Sequence, residues 1–299
     1  MALGMIDAVV LGIVEGLTEF LPVSSTGHLT VVEELLGYSV KDEAITAFTA
    51  VIQVGAIVAT LIYFRRDIVR LVAAGIGGLV SPPRRQDPDF RFAWLVVAGS
   101  VPIGIVGLAA KSLVEGPLRN LYVVAGALIV WSAVMVAAER VGRQDRRGRQ
   151  EGVAHLEDSG GTGAASAAER SLTLKDVLFV GVLQCVALIP GVSRSGATIS
   201  GGLFRGLDRV TATRLSFFLA IPALLAAGGL ELPKAVSGNA VGAGPLLVGT
   251  LVAFVVAYAT IAWLLRFVAA HPISTFVPYR IAAGLVVIGL VASGAVNAR

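Results

Sequence analysis

Glu15 and Glu19 stand four residues apart inside an apolar run, so on a helix they share one face. Carboxylates in such a setting are costly unless they meet a cation, a proton or water. Two on one face suit a divalent cation, Mg²⁺ or Ca²⁺, or else one metal ligand beside one proton donor. A hydroxyl-rich turn follows directly, Leu21-Pro22-Val23-Ser24-Ser25-Thr26-Gly27-His28. Taken singly, its serines and Thr26 are helix-capping residues, and a lone histidine near a helix start is an ordinary hydrogen-bonding residue. A second turn, Pro190-Gly191-Val192-Ser193-Arg194-Ser195-Gly196-Ala197-Thr198, changes that balance. Arg194 offers two-pronged donation to phosphate oxygens, Gly191 and Gly196 free the backbone around it, and N–H groups at a helix start add partial positive charge. With Ser193, Ser195 and Thr198 these groups make an oxyanion cradle. Arg194 equally suits a buried ion pair with Glu15 or Glu19, one that opens to admit substrate.

The elements that carry these residues come in two copies. Asp7, Gly12 and Glu15 fall opposite Asp176, Gly181 and Gln184 at one constant offset, and the same offset pairs Ser24 with Ser193 and Gly27 with Gly196. Hydroxyl- and glycine-rich turns that interrupt apolar helices in duplicate are how membrane proteins place backbone donors near the bilayer midplane. Composition agrees: 56% of the 299 residues are hydrophobic and 15% are charged, against about 25% charged in ordinary soluble domains. Mean hydropathy is +0.82. The net charge of +4 sits in gaps between apolar runs, which is the pattern of membrane loops and excludes nucleic acid as a partner. Cys185 is the one cysteine, so no internal disulfide or cysteine-based metal cage forms, and it reads as apolar packing. The amino-terminal run has no Lys or Arg before it and holds three acids, unlike a cleaved signal peptide.

The expected fold is an all-α polytopic membrane protein. Full-length spans are expected at 44–64, 92–112, 120–138, 212–232, 243–267 and 274–296, each near the ~20 residues a crossing helix needs. Residues 4–36 and 175–207 each hold two arms too short to span, and read as re-entrant hairpins. Residues 1–139 and 175–299 then form two repeats of one hairpin plus three spans, joined by a flexible 140–174 linker without chemistry. Arg65, Arg66, Arg70, Arg84, Arg85 and Arg91 in one connection, and Arg140, Arg143, Arg146, Arg147, Arg149, Arg170 and Lys175 in the other, place both in the cytoplasm. The first hairpin therefore dips in from outside and the second from the cytoplasm. Such repeats have inverted topology, and their turns meet inside the membrane.

Glu15-Gly16-Leu17-Thr18-Glu19-Phe20 running into the first turn, together with the whole second turn, resembles the two signatures of the undecaprenyl-diphosphate phosphatase family of the bacitracin-resistance type. Val51-Ile52-Gln53-Val54-Gly55, Ser216-Phe217-Phe218-Leu219-Ala220-Ile221-Pro222 and Tyr279-Arg280 extend the resemblance across the chain, apart from a linker longer and more charged than the family usually has. It implies hydrolysis of the C55 polyprenyl diphosphate to its monophosphate and phosphate at a bacterial plasma membrane. That reaction recycles the lipid carrier for peptidoglycan synthesis, with a homodimer expected. Glu15, Glu19, Ser25, His28, Ser193, Arg194 and Thr198 match the family's functional positions, with Glu15 and Glu19 as metal ligands or proton donor. Ser24, Thr26, Gln53, Gly191, Ser195 and Gly196 are expected to line the substrate. Ser25 with His28 as its base is the preferred nucleophile, direct attack by His28 and attack by a His28-activated water are rivals, and the residues do not separate the three. A lipid transporter is the alternative from another class, since broken helices in inverted repeats also serve translocation. A purely structural scaffold would leave the buried polar cluster unexplained.

Overall fold

The computed structural model describes residues 3–39, 42–152, 169, 171–237 and 241–298, and among them every regular element is helical. α1 (Met5–Thr18) and α2 (Ser25–Leu35) form the first hairpin. They are followed by α3 (Glu43–Tyr63), α4 (Arg65–Val80), α5 (Pro88–Ala109), the short α6 (Lys111–Glu115) and α7 (Leu121–Gly152). The second hairpin is α8 (Leu174–Cys185) and α9 (Arg194–Phe204), followed by α10 (Arg209–Ser237), α11 (Ala243–Ala270) and α12 (Val277–Ala292). Six helices are long and apolar enough to cross a membrane, over Ala44–Tyr63, Pro88–Ala109, Leu121–Gln144, Arg209–Gly229, Ala243–Ala270 and Ile273–Ala292. They match the six expected spans to within a few residues, and many of their large apolar side chains face outward, as a lipid solvent requires.

The two hairpins are anchored alike. Asp7 accepts the Gly4 N–H at 3.4 Å and Asp176 accepts the Thr173 N–H at 3.0 Å, each tying down the first turn of its arm. α1 packs along α11 and α8 along α5. Both contacts are made glycine on glycine. A Cβ on Gly12 would lie 2.6 Å from the Gly249 carbonyl oxygen, and one on Gly181 would lie 2.0 Å from that of Gly99. Close approach of backbones is how helices gain dispersion contact where lipid supplies no hydrophobic drive. Gly181→Leu is therefore expected to lower the apparent Tm in detergent by at least about 5 °C, since overpacking costs ~1–3 kcal/mol or more. Gly104→Leu, which meets nothing within 4 Å, should leave the Tm unchanged. Equal thermal unfolding of the two variants would refute the contact.

The arms themselves are unequally covered. In α9 the residues from Ser195 to Leu203 are all buried, whereas α2 buries Gly27, Leu29, Thr30 and Glu33 and leaves much of its remaining surface open.

Two connections differ from expectation. The 65–91 stretch, read only as a charged connection, contains α4 and a 3₁₀ turn over Pro82–Gln86. Its apolar run is too short to register as a span, yet Leu71 and Gly78 bury against α5. The linker expected over 140–174 is helical to Gly152, because α7 continues through Arg- and Gln-rich sequence that favours helix. At its far end Glu169 is buried and paired with Arg214. Arg214 also reaches Asp67 at 3.0 Å, and Arg70 pairs with Asp67 at 2.9 Å and Asp89 at 2.7 Å. Several charges that mark this side of the molecule are thus tied into a partly buried ion-pair lattice between α4, α5 and α10. The interior of the linker, 153–168 and 170, lies outside the described residues.

Candidate active site

Both turns end in a serine forced into the same unusual backbone. Ser24 has φ 75° and Ser193 φ 78°, the two non-glycine residues with positive φ among those described. Such conformations cost about 1–3 kcal/mol each and persist only when their surroundings determine them. Here the two turns determine each other. Ser24 Oγ accepts the Gly27 N–H of its own arm at 3.4 Å and the Gly191 N–H of the other turn at 3.1 Å. Ser193 Oγ accepts the Gly196 N–H at 3.2 Å and donates to the Leu21 carbonyl at 3.4 Å, which also accepts from Ser195 Oγ at 2.9 Å. Gly191 has φ 100°, and a Cβ there would lie 2.3 Å from the Val124 carbonyl oxygen of α7. A Cβ on Gly27 would press on the same residue, so α7 is a shared floor beneath both turns.

Arg280 of α12 completes the junction. It is fully buried and all three of its nitrogens donate: Nη1 to the Pro22 carbonyl at 2.7 Å, Nη2 to Gly191 and Val192 at 2.9 and 3.1 Å, and Nε to Ser132 Oγ at 3.2 Å. Three of its acceptors are backbone carbonyls of the two turns, so its charge is spent on holding them together.

The reactive groups sit beside this junction. Glu19 Oε1 accepts from Arg194 Nη2 at 2.8 Å, and Glu19 Oε2 accepts from Ser25 Oγ at 2.6 Å. Among the described residues Arg194 Nε and Nη1 have no partner, and Glu15, buried one turn earlier on α1, leaves Oε1 unpaired. The amides of Arg194 and Ser195 at the start of α9 likewise find no protein acceptor among the described residues. Unpaired buried donors are costly in the resting protein, and are what a bound oxyanion would satisfy.

The histidine stands apart from the serine. His28 Nδ1 contacts the Ser24 carbonyl at 2.7 Å, and Nε2 contacts Tyr279 Oη at 2.6 Å, with the two rings stacked at 5.5 Å and 9°. A carbonyl only accepts, so Nδ1 carries the proton, and in the neutral ring Nε2 accepts from the tyrosine. The expected Ser25–His28 dyad is therefore not formed, because both ring nitrogens are engaged and the Ser25 proton points to Glu19.

Residues 8–286 match the bacitracin resistance protein BacA family. The chain belongs to this family. It is 53% identical to undecaprenyl-diphosphatase 3 of Frankia casuarinae over 99% of this chain and 100% of the relative. It is 53% identical to undecaprenyl-diphosphatase 1 of Streptomyces coelicolor over 99% of each chain. Against the undecaprenyl-diphosphatase of Acidothermus cellulolyticus the identity is 49%, over 98% of this chain and 99% of that one.

Arg194, Glu19 and Ser25 form one hydrogen-bonded chain with Glu15 one helical turn away, and the remaining polar residues of the two turns are bonded elsewhere. Ser193 and Ser195 strut the two turns, and Thr198 Oγ1 donates to Ser216 Oγ at 2.6 Å, fastening α9 to α10. Thr26 is exposed at the rim, its carbonyl accepting from Thr30 at 2.8 Å. Gln53 on α3 makes no hydrogen bond among the described residues and is not drawn into the cluster. Arg280 and Tyr279 had no role assigned from sequence. A lone cation in an apolar span was the available signal for Arg280. Tyr279 gave none, since a tyrosine in a membrane helix is ordinary.

Proposed function

We propose that this chain hydrolyses undecaprenyl diphosphate to undecaprenyl phosphate and phosphate. The observation that carries this reading is the Arg194–Glu19–Ser25 chain, in which a nucleophile is bonded to a carboxylate and two guanidinium nitrogens remain free. Ser25 Oγ attacks the terminal phosphorus while Glu19 Oε2 takes its proton. The new O–P bond forms as the bridging P–O bond breaks, and the polyprenyl phosphate departs. Arg194, through Nε and Nη1 while Nη2 stays on Glu19, and the amides at the start of α9 hold the transferred oxygens. Glu19 passes the proton it took from Ser25 to the departing polyprenyl phosphate, so it is ionised again when water attacks the phosphoserine, and the proton it then accepts from water returns to Ser25 as phosphate leaves.

A divalent cation fits the unpaired Glu15 oxygen if diphosphate oxygens supply most of its ligands, the usual Mg²⁺ arrangement. Among the described residues no group of three or more His, Cys, Asp or Glu side chains forms a complete cage. Glu15, with a remaining lone pair of Glu19, would hold the ion, which would neutralise charge on the diphosphate. A time course of phosphate release from C55 diphosphate by purified protein, with and without chelator, tests the proposal. Turnover that stops on chelation and returns with Mg²⁺ or Ca²⁺ is expected. Absence of phosphate release beside lipid movement in proteoliposomes would establish the transporter instead.

The protein is a multi-pass membrane protein. The bacterial plasma membrane as its location, roles in carrier recycling, peptidoglycan synthesis and bacitracin resistance, and a homodimer belong to the same proposal. So does the inverted topology of the two halves. After Cys185→Ala, a cysteine at position 39 should label in intact cells and one at position 160 only after membrane disruption. The reverse pattern would overturn the opposed hairpins.

A further inference from the structure

On the Arg-rich side of the molecule, α4 presents Val69, Val72, Ile76, Leu79 and Val80 outward, all more than half exposed. Beneath it lies a cavity of about 340 Å³, within the range of ligand sites. It is lined among others by Val72, Ile76 and Leu79 of α4, Trp94 and Val97 of α5, and Pro222 of α10, and every residue of its wall is apolar or glycine. Two arginines lie against the last turn of α4, whose Leu79 lines the cavity. Arg85 Nε donates to the Gly78 carbonyl at 2.9 Å, which fixes the side chain against the last turn of α4, and among the described residues its Nη groups make no hydrogen bond. Arg84 lies against Gly77, its Nη1 3.2 Å from where a Cβ there would stand. Both arginines are exposed, and neither makes an ion pair among the described residues. An apolar slot beside a helix with an outward apolar stripe, with two exposed guanidinium groups at the end of that helix, matches an amphiphile with one anionic head and a long chain.

We infer that the groove between α4, α5 and α10 binds an anionic phospholipid of the adjacent leaflet, one acyl chain in the cavity and its phosphate on Arg84 and Arg85. This site is independent of the diphosphate site, since its occupant is a structural lipid and its arginines lie outside both turns. It also accounts for the Arg-flanked α4, which the proposed hydrolysis does not use.

Trp94 in the cavity wall supplies the probe. The chain has three tryptophans, so Trp131→Phe with Trp263→Phe leaves Trp94 as the sole indole emitter. The protein is reconstituted in phosphatidylcholine with increasing fractions of dibrominated phosphatidylglycerol, or of dibrominated phosphatidylcholine as reference, and quenching gives the relative affinity. A roughly five- to tenfold preference for the anionic lipid is expected. Arg84→Gln with Arg85→Gln should abolish the preference, and Val97→Phe, which fills the cavity, should abolish the preferential quenching. Far-UV circular dichroism verifies that each variant is folded. Equal quenching by the two lipids, a preference that survives the arginine or cavity variants, or a Trp94 shielded from both lipids by a second copy of the chain would each overturn the inference. The readout is fluorescence, so failure of the hydrolysis proposal would not affect it.

Discussion

Arg194→Lys is expected to lose roughly 100- to 1,000-fold in kcat, about 2.7–4 kcal/mol of transition-state stabilisation, while still folding and inserting. The loss follows from geometry rather than charge. Arg194 already gives Nη2 to Glu19 and keeps Nε and Nη1 free, so one planar group serves the carboxylate and the phosphate together. Lysine retains the cation but concentrates its donors on one atom, and an ammonium bonded to Glu19 has no rigid second edge to offer. Folding should survive because the junction of the two turns is held by Ser24, Ser193, Ser195 and Arg280, none of which needs the Arg194 side chain. The measurement is steady-state phosphate release by variant and parent at matched, monodisperse concentration. Near-normal turnover by the lysine variant would remove Arg194 as the phosphate clamp.

Ser25→Ala is expected to abolish turnover by roughly 1,000-fold or more and to remove the atom that carries phosphate. Labelled terminal phosphate, rapid quench at acidic and at basic pH, and peptide mapping distinguish the routes, because phosphoserine survives acid whereas phosphohistidine does not. Acid-stable label on Ser25 in the parent enzyme is expected. Acid-labile label on His28 would show that Tyr279 releases the imidazole during turnover and that His28 attacks directly. No label in a single turnover would favour attack by water. Glu19→Gln sharpens the test, since Glu19 rather than His28 receives the Ser25 proton in the structure. It should block formation of the serine adduct, whereas His28→Ala should weaken turnover without preventing the label. A fully active Ser25→Ala protein would leave Ser25 as a simple helix-start residue.

Sequence by itself determined the class, the spans and the two turns. Twenty-residue apolar runs have one solution in lipid, because every backbone group must be paired within the segment. Proline, serine and glycine in the interior of a shorter run mark where that pairing is broken. Duplication was legible because Asp7, Gly12, Ser24 and Gly27 keep their spacing in the second copy. The pairing of Glu19 with Arg194 was one of the foreseeable outcomes, since two opposite charges in a low-dielectric interior seek each other.

Tertiary structure decided which hydroxyl does what. Ser24, Ser25, Ser193, Ser195 and Thr198 are chemically near-equivalent in sequence, and only the packing of the turns on each other and of α9 on α10 assigns four of them to architecture and leaves Ser25 facing a carboxylate. The separation of His28 from Ser25 was equally hidden, because the competing partner, Tyr279, arrives from the far end of the chain. Arg280 could be recognised as a buried charge, but its acceptors are backbone carbonyls, which every residue possesses and no sequence pattern marks. The cavity beneath α4 depends on three helices whose mutual approach is set by side-chain volume at their crossings, a property of the packed assembly that no single run of residues encodes.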